Sequence, residues 1–330
     1  MFIIESYSTA VIFCLITMMC WGSWANTQKL TASTWRFELF YWDYVIGIVL
    51  LSLVLGLTMG SIGTGGRPFL EDLQQGSFAN LRSAFIGGMV FNAANILLGA
   101  AIAIAGMSVA FPVGIGLALV IGVIVNYVDQ PVGDVPLLFG GVALVAVAIV
   151  LNAIAYRQKG GNTGVSTRGL LLSVISGAMM GLFYKYVANA MFSDFTVPID
   201  GKLSPYSAVF VFSLGILASN IVFNTILMAK PVSGTPVGYG DYFKGTIGNH
   251  LTGMLGGVIW CIGMSFSIIA SGKAGAAISY GLGQGATVVA AVWGIFVWRE
   301  FAGASSSVRM LLNIMLLCYV AGLALIIMAR

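Results

Sequence analysis

The sequence predicts an all-α membrane protein with ten transmembrane helices arranged as two inverted five-helix repeats. Three observations carry that prediction. Of 330 residues, 59% are hydrophobic and only 8% are charged. A soluble domain carries about 25% charge, so this chain is not solvated all round. The apolar residues fall in long unbroken runs, unlike the alternating segments of about ten residues that build a barrel. The chain also repeats itself. Segments starting at Gly87 and Gly256 each open on a Gly-Gly pair, and each carries a Gly-apolar-Gly triplet further on (Gly114, Ile115, Gly116 and Gly281, Leu282, Gly283). An internal repeat in a chain this apolar points to two matching halves.

A membrane span needs about 20 apolar residues. The runs predict spans over 8–28, 40–60, 82–104, 107–128, 135–156, 168–191, 204–228, 248–271, 274–298 and 307–329. The first run lacks a basic start and is too long for a signal-peptide core, so it reads as a helix. Connections rich in Gly, Pro and charge separate the runs, and the segment from Arg157 to Arg168 falls between two sets of five. The expected organisation is therefore a first repeat over 1–156, a central linker over 157–167 and a second repeat over 168–330. Five is odd, so the second repeat starts on the side opposite the first and the halves are inverted. The segments at Gly87 and Gly256 then fall on equivalent helices, the third and fourth against the eighth and ninth.

The net charge of +4 and the pI near 8.9 reflect loop charges that orient the chain in the bilayer, with no reason to invoke nucleic acid. One side holds Lys29, Arg36, Arg157, Lys159, Arg168, Lys230, Lys244, Arg299 and Arg309; the other holds Arg67, Arg82, Lys202, Lys273 and Arg330. The richer side is expected in the cytoplasm, which puts both termini outside. Cys14, Cys20, Cys261 and Cys318 lie in apolar runs at spacings that suggest no metal site, so four free, buried thiols are expected. No cofactor is expected. An enzyme is disfavoured because the chain has a single histidine, His250, and no nucleophile–base pair.

Polar side chains inside a span are costly and usually face a bundle interior or cavity. Trp21, Trp24 and Gln28 share a helical face at i, i+3 and i+7; Asn92 and Asn95 stand at i and i+3; Tyr280, Gln284 and Thr287 stand at i, i+4 and i+7. These faces offer rings for stacking and amides for paired hydrogen bonds. Each residue also has a structural reading: interhelical hydrogen bonding for the asparagines, and an interfacial belt for Trp35, Tyr41, Trp42 and Trp298. Lys185, flanked by Tyr184 and Tyr186 within an apolar run, is expected either to meet substrate or titrate, or else to pair with an acid such as Asp43. Asp43 is the best carboxylate candidate for proton coupling. Glu300, beside Arg299, reads as a surface ion pair, and His250 as interfacial.

Several short segments together resemble one family. Glu5 and Ser6 followed by Gly22, Ser23, Trp24, Ala25 resemble the ES pair and GTWP-like motif that open the ureide permeases, with Ala25 in place of the family's Pro. Tyr41, Trp42, Asp43, Tyr44 resemble their YLDYS segment. Gly87, Gly88 and Asn95 resemble their GG-then-GN segment, and Val125, Asn126, Tyr127 their LNY. Gln284 with the run Trp293 to Glu300 resembles the family's Gln followed by WGILLFGE. The resemblance covers most of both halves. It implies the drug/metabolite transporter superfamily, with ten helices in two inverted repeats, and proton-coupled import of allantoin, uracil and related oxo-heterocycles. One feature departs from the plant members. Their long central loop bears a nucleotide-binding-like pattern, whereas this linker has no GxxxxGK[ST], so no ATP binding is expected.

The combined expectation is a secondary active transporter that imports a small polar solute, a proton symporter for a ureide or nucleobase-like heterocycle. The alternatives are a symporter for a sugar or sugar derivative, including a sugar acid, as in the related bacterial uptake families, and an exporter of drugs or metabolites. Substrate contacts are expected from Trp21, Trp24, Gln28, Asn92, Asn95, Tyr184, Lys185, Tyr280 and Gln284, and proton coupling from Asp43 and Lys185. The expected partners are substrate, protons and membrane lipid, with a homodimer left open and a bacterial inner membrane as the setting.

Overall fold

The computed structural model describes residues 1–31, 35–63, 65–105, 107–160 and 166–330. Residues 161–165 of the central linker lie outside the described residues. Ten helices are long and apolar enough to cross a membrane among those described. They are Tyr7–Ser23 (α1) continued by a 3₁₀ segment over Trp24–Leu30; Phe37–Leu57 (α2); Phe78–Ala105 (α4); Met107–Asp129 (α5); Val135–Gly160 (α6); Thr167–Ala190 (α7); Pro205–Ala229 (α8); Ile247–Ala274 (α10); a broken ninth span; and Ser306–Met328 (α13). The ninth span consists of Ala276–Gly283 (α11), Ala286–Val292 (α12) and a π-helical turn over Trp293–Val297. Two short helices, Phe69–Gln75 (α3) and Tyr239–Tyr242 (α9), lie in connections. Their short apolar stretches carry no span signal, and the sequence reading left both as loops.

Hydroxyl caps set many of the starts. Ser6, Ser166, Ser204, Thr246 and Ser305 each accept a backbone N–H from the first turn of α1, α7, α8, α10 and α13, satisfying donors that have no intrahelical partner. Gly275, at φ +82°, ends α10 and lets α11 start at once in a new direction. Side chains such as Met19, Leu50, Val54, Leu171, Ile226, Leu317 and Val320 stay exposed on the perimeter. That is the surface expected against lipid tails.

Lipid tails are as apolar as leucine, so association rests on close backbone approach and interhelical hydrogen bonds. Both recur in matched pairs. A side chain at Gly88 of α4 would collide with the Phe212 carbonyl of α8, and one at Gly215 of α8 with the Phe85 carbonyl of α4. The same reciprocal crossing joins α10 and α2: Gly257 lies on the Tyr44 carbonyl and Gly47 on the Met254 carbonyl. In both crossings the glycine of one helix stands three positions after the carbonyl residue of that same helix. Hydrogen bonds repeat likewise. Thr17 Oγ1 of α1 donates to Gly263 O of α10 at 2.8 Å, and Ser176 Oγ of α7 donates to Ala94 O of α4 at 2.8 Å. Ala94 and Gly263 each stand six positions after the crossing glycine of their helix.

Both ends of the chain meet on one face, where the Tyr7 hydroxyl donates to Ile327 O at 2.6 Å. This is the terminal face. The opposite one, from which α6 leads into the linker, is the linker face. Cys14 and Cys261 are buried free thiols, whereas Cys20 and Cys318 are only half-buried, a correction to the expectation of four buried ones.

Candidate substrate cavity

The fourth and seventh positions after each repeated hydroxyl lead into the centre of the molecule. Trp21 follows Thr17 on α1 as Met180 follows Ser176 on α7, and one turn later come Trp24 and Phe183. Phe91 and Trp260, each three positions after its crossing glycine, meet with ring centroids 4.4 Å apart. These six side chains, from equivalent places in the two halves, line a cavity of about 130 Å³. Asn95, Gln284 and Thr287 complete it on its polar side, with Leu98 and Ile115 on the other. Among the described residues the wall carries no Lys, Arg, His, Asp or Glu.

The polar groups of the wall have no matching partners in the other half. Asn95 corresponds to Met264, and Gln284 stands where the ninth span breaks. The Gln284 side-chain amide has no hydrogen-bond partner among the described residues, while its backbone N–H reaches Tyr280 O at 3.1 Å. Thr287 Oγ1 donates to Gln284 O at 3.0 Å and so occupies a carbonyl freed by the break. Non-helical backbone at membrane depth is tolerated where it lines such a cavity. Trp21 is fixed by its indole N–H to Trp260 O at 3.3 Å, and Trp24 by the Tyr44 ring at 4.6 Å.

A second cavity of about 160 Å³ shares Thr287 and Ala290 with the first and continues toward the linker face. Its rim bears an ordered polar cluster. Glu300 accepts from Lys29 Nζ at 3.3 Å and from the Tyr156 hydroxyl at 2.5 Å; Trp298 Nε1 donates to Asn26 Oδ1 at 2.7 Å. Glu300 thus pairs with Lys29 rather than with Arg299 beside it. On the terminal-face side the space is filled. The Tyr184 hydroxyl is within 3.0 Å of Ser267 Oγ, and the Tyr280 hydroxyl donates to Met180 O at 3.0 Å and Ala118 O at 3.2 Å.

Of the residues singled out from the sequence, Trp21, Trp24, Asn95, Gln284 and Thr287 are therefore brought together, and the others are placed elsewhere. Gln28 leaves the Trp21–Trp24 face because α1 gives way to 3₁₀ geometry at Trp24, which advances faster around the axis than an α-helix. Asn92 is buried behind the wall, its amide spent on Tyr41 and Ser219. Tyr184 and Tyr280 form the packing that closes the terminal-face side. Lys185 lies in the last turns of α7 and not at mid-span; its Nζ stands 2.9 Å from Asp129 Oδ1, and the other Asp129 oxygen accepts from the Asn189 amide at 2.9 Å. It is outside the cavity and does not pair with Asp43.

Asp43 is buried on α2, away from the cavity wall, and its partners come from sequence 199 and 207 positions away. The Tyr242 hydroxyl donates to its Oδ1 at 2.6 Å, and His250 Nδ1 lies 3.0 Å from both oxygens. The Trp35 ring closes over His250 at 5.3 Å. Burial and the Asp43 carboxylate push the Tyr242 phenol up, so it stays a donor at neutral pH. His250 is thus half-buried and paired rather than interfacial. Tyr41, read from the sequence as a belt residue, is fully buried between the two asparagines. The signal was present in the i, i+3 spacing of Tyr41 and Tyr44, whose rings stack at 5.2 Å, but a lone pair of tyrosines near a helix start fits either place.

A bundle of ten apolar helices around a central cavity with an aromatic and amide lining defines a multi-pass integral membrane protein of the transporter class. The ureide permease family model matches residues 40–164 and 162–329. The chain belongs to the ureide permease family. Ureide permease 1 of Arabidopsis thaliana is 23% identical over 99% of this chain and 98% of its own length. Ureide permease 2 of the same plant is 21% identical over 99% and 98%, and ureide permease 3 is 24% identical over 72% and 77%. A crystal structure at 17% identity superposes with a TM-score of 0.63, covering 98% of this chain and 99% of that one; it shows the likeness of fold alone.

Proposed function

We propose that this protein imports a small, neutral, planar polar ring, a ureide or nucleobase-like heterocycle, by alternating access. The lining of the cavity carries this reading: tryptophan and phenylalanine rings from both halves, two side-chain amides and no charged group among the described residues. Ring faces stack on a flat solute, and amides match the alternating N–H and C=O groups of a ureide. The names of the relatives support the same substrate class. A sugar acid fits poorly, since its carboxylate would be desolvated with no cation facing it. Thermal-shift measurements with ureides, nucleobases, sugars and sugar acids test the assignment. Stabilisation by allantoin or uracil is expected, and stabilisation by sugar acids alone would sink it.

The two halves would be inverted repeats that rock about the Gly88–Phe212 and Gly257–Tyr44 crossings. The open path past Thr287 leads to the linker face, so with the basic excess in the cytoplasm the structure corresponds to an inward-open state. We assign proton coupling to Asp43 with His250 and Tyr242. This cluster straddles the crossing of α2 and α10, and Asp43 is followed directly by Tyr44, whose ring packs on Trp24 of the cavity. A proton on Asp43 would remove its charge-assisted bond to His250 and loosen that crossing. In proteoliposomes, an inward pH step should accelerate uptake by the wild type, and Asp43→Asn should lose that stimulation. Uptake by the wild type that ignores the gradient would remove the proton-coupling proposal.

A further inference from the structure

We infer that Asn95 is held with its side-chain carbonyl oxygen toward the cavity, so that this position reads N–H donors on the bound ring. The inference rests on the neutral-ring reading above and adds which edge of the ring is read and by what.

The polarity is dictated by a buried chain of hydrogen bonds that begins on the backbone of α8. The Ser219 hydroxyl donates its single proton to the carbonyls of Gly215 at 2.8 Å and Ile216 at 3.0 Å. Both oxygens are acceptors only. Ser219 Oγ is therefore an acceptor toward Asn92, 3.0 Å away, and the Asn92 atom that faces it must be the NH₂ group. Asn92 then presents its carbonyl oxygen to the Tyr41 hydroxyl, 2.9 Å away. Tyr41 donates its one proton there and has only lone pairs left for Asn95, 3.0 Å away. Asn95 must use its NH₂ group on Tyr41, and its oxygen is left over on a residue that lines the cavity. That oxygen has no hydrogen-bond partner among the described residues. Reversing one amide alone would set donor against donor or acceptor against acceptor in a dry interior, and reversing all of them together would take the Ser219 proton away from the two α8 carbonyls that stand 2.8 and 3.0 Å from it, so the seat of Ser219 on those carbonyls sets the direction.

The chain draws on α8, α4 and α2, and Asn92, Tyr41 and Ser219 are nearly or wholly buried. These three are positioning residues: they touch no solute and act through Asn95. Their counterparts in the other half are apolar or sulfur-bearing, Cys261 for Asn92 and Met264 for Asn95. The relay therefore exists in one half alone, and in the same cavity the unpartnered amide of Gln284 offers both a donor and an acceptor. A ring with an N–H toward Asn95 is accepted. A ring that places a carbonyl oxygen, a lone pair or an N-methyl group there leaves the Asn95 oxygen unpaired and is rejected.

The test is competition against radiolabelled uracil on the purified full-length protein in nanodiscs, with uracil, 1-methyluracil, 3-methyluracil and 1,3-dimethyluracil as competitors. The wild type should prefer uracil over the dimethyl compound by about tenfold or more, with one monomethyl isomer as poor as the dimethyl. Tyr41→Phe removes the acceptor that holds the Asn95 amide, and Ser219→Ala removes the anchor that orders the chain. In both, the amide of Asn95 is free to turn its NH₂ group inward, and the preference should fall to about threefold or less. Monodisperse elution of both variants, with uracil still bound, separates this change in selectivity from misfolding. Should one variant fail to fold, the other decides. Equal competition by all four compounds in the wild type would overturn the inference while leaving the neutral-ring reading intact. So would a preference undiminished in the folded variants. A wild type that binds neither uracil nor allantoin overturns the neutral-ring reading, and the inference with it.

Discussion

The wall of the cavity separates residues that hold the fold from residues free to meet a solute. Gln284 makes no side-chain hydrogen bond among the described residues, so its truncation breaks no internal hydrogen bond. Gln284→Ala is expected to reduce uptake of allantoin or uracil at least about tenfold and to move the thermal midpoint by less than about 2 °C. Uptake assays and thermal unfolding of the same preparation check both halves of that statement. Lys185 gives the opposite expectation. Its partner Asp129 is at the terminal face, with side-chain exposures of 37% and 22%, where an ion pair is worth roughly 0–1 kcal/mol. Lys185→Gln should leave the uracil affinity within about twofold, measured by the same binding assay. The sequence marked both residues for one reason, a polar group in an apolar run. Only the structure distinguishes them, because the partner of Lys185 lies 56 positions away, whereas the Gln284 side chain has no hydrogen-bond partner among the described residues.

At the level of the elements, the glycine crossings are the strictest requirement. A side chain at Gly88 or Gly257 would enter the backbone of the facing helix, and neither helix has a flexible side chain there to give way. Gly88→Leu and Gly257→Leu should each cost roughly 3 kcal/mol or more, seen as loss of monodisperse protein in detergent. Leucine at exposed Gly240 of α9, which faces open space, is the control. The Gly-Gly repeat that made these positions legible is a direct record of that packing. The break in the ninth span was not legible. The stretch from Ala276 to Val297 holds no proline or charge to mark a break, and the interruption at Gln284 and Gly285 falls where α1 approaches so closely that Gly22 lies against the Ala286 carbonyl. Helix α3 escaped notice for a similar reason. Its buried Asp72 pairs with Arg67 at 3.6 Å and accepts from the N–H of Ser204, 2.7 Å away at the start of α8.

For the whole molecule, the repeat accounts for the shape of the cavity and its exceptions account for the chemistry. Trp21 and Met180, Trp24 and Phe183, and Phe91 and Trp260 bring equivalent side chains from the two halves around one central space. The doubling of the sequence announces such a space, and the unshared positions Asn95 and Gln284 give it a polar side. Composition alone gave the ten spans nearly to the residue at several ends, because apolar length is a local property. The cluster of Asp43 with Tyr242 and His250 depends on α2 meeting residues 199 and 207 positions away, and single-segment patterns carry no trace of it. Transport through the central cavity is tested by uptake of radiolabelled allantoin or uracil into proteoliposomes containing the purified protein. The expected result is saturable, counterflow-stimulated uptake that falls at least about tenfold in Gln284→Ala. Uptake of neither compound by the wild type, or uptake equal in the wild type and the variant, would contradict it.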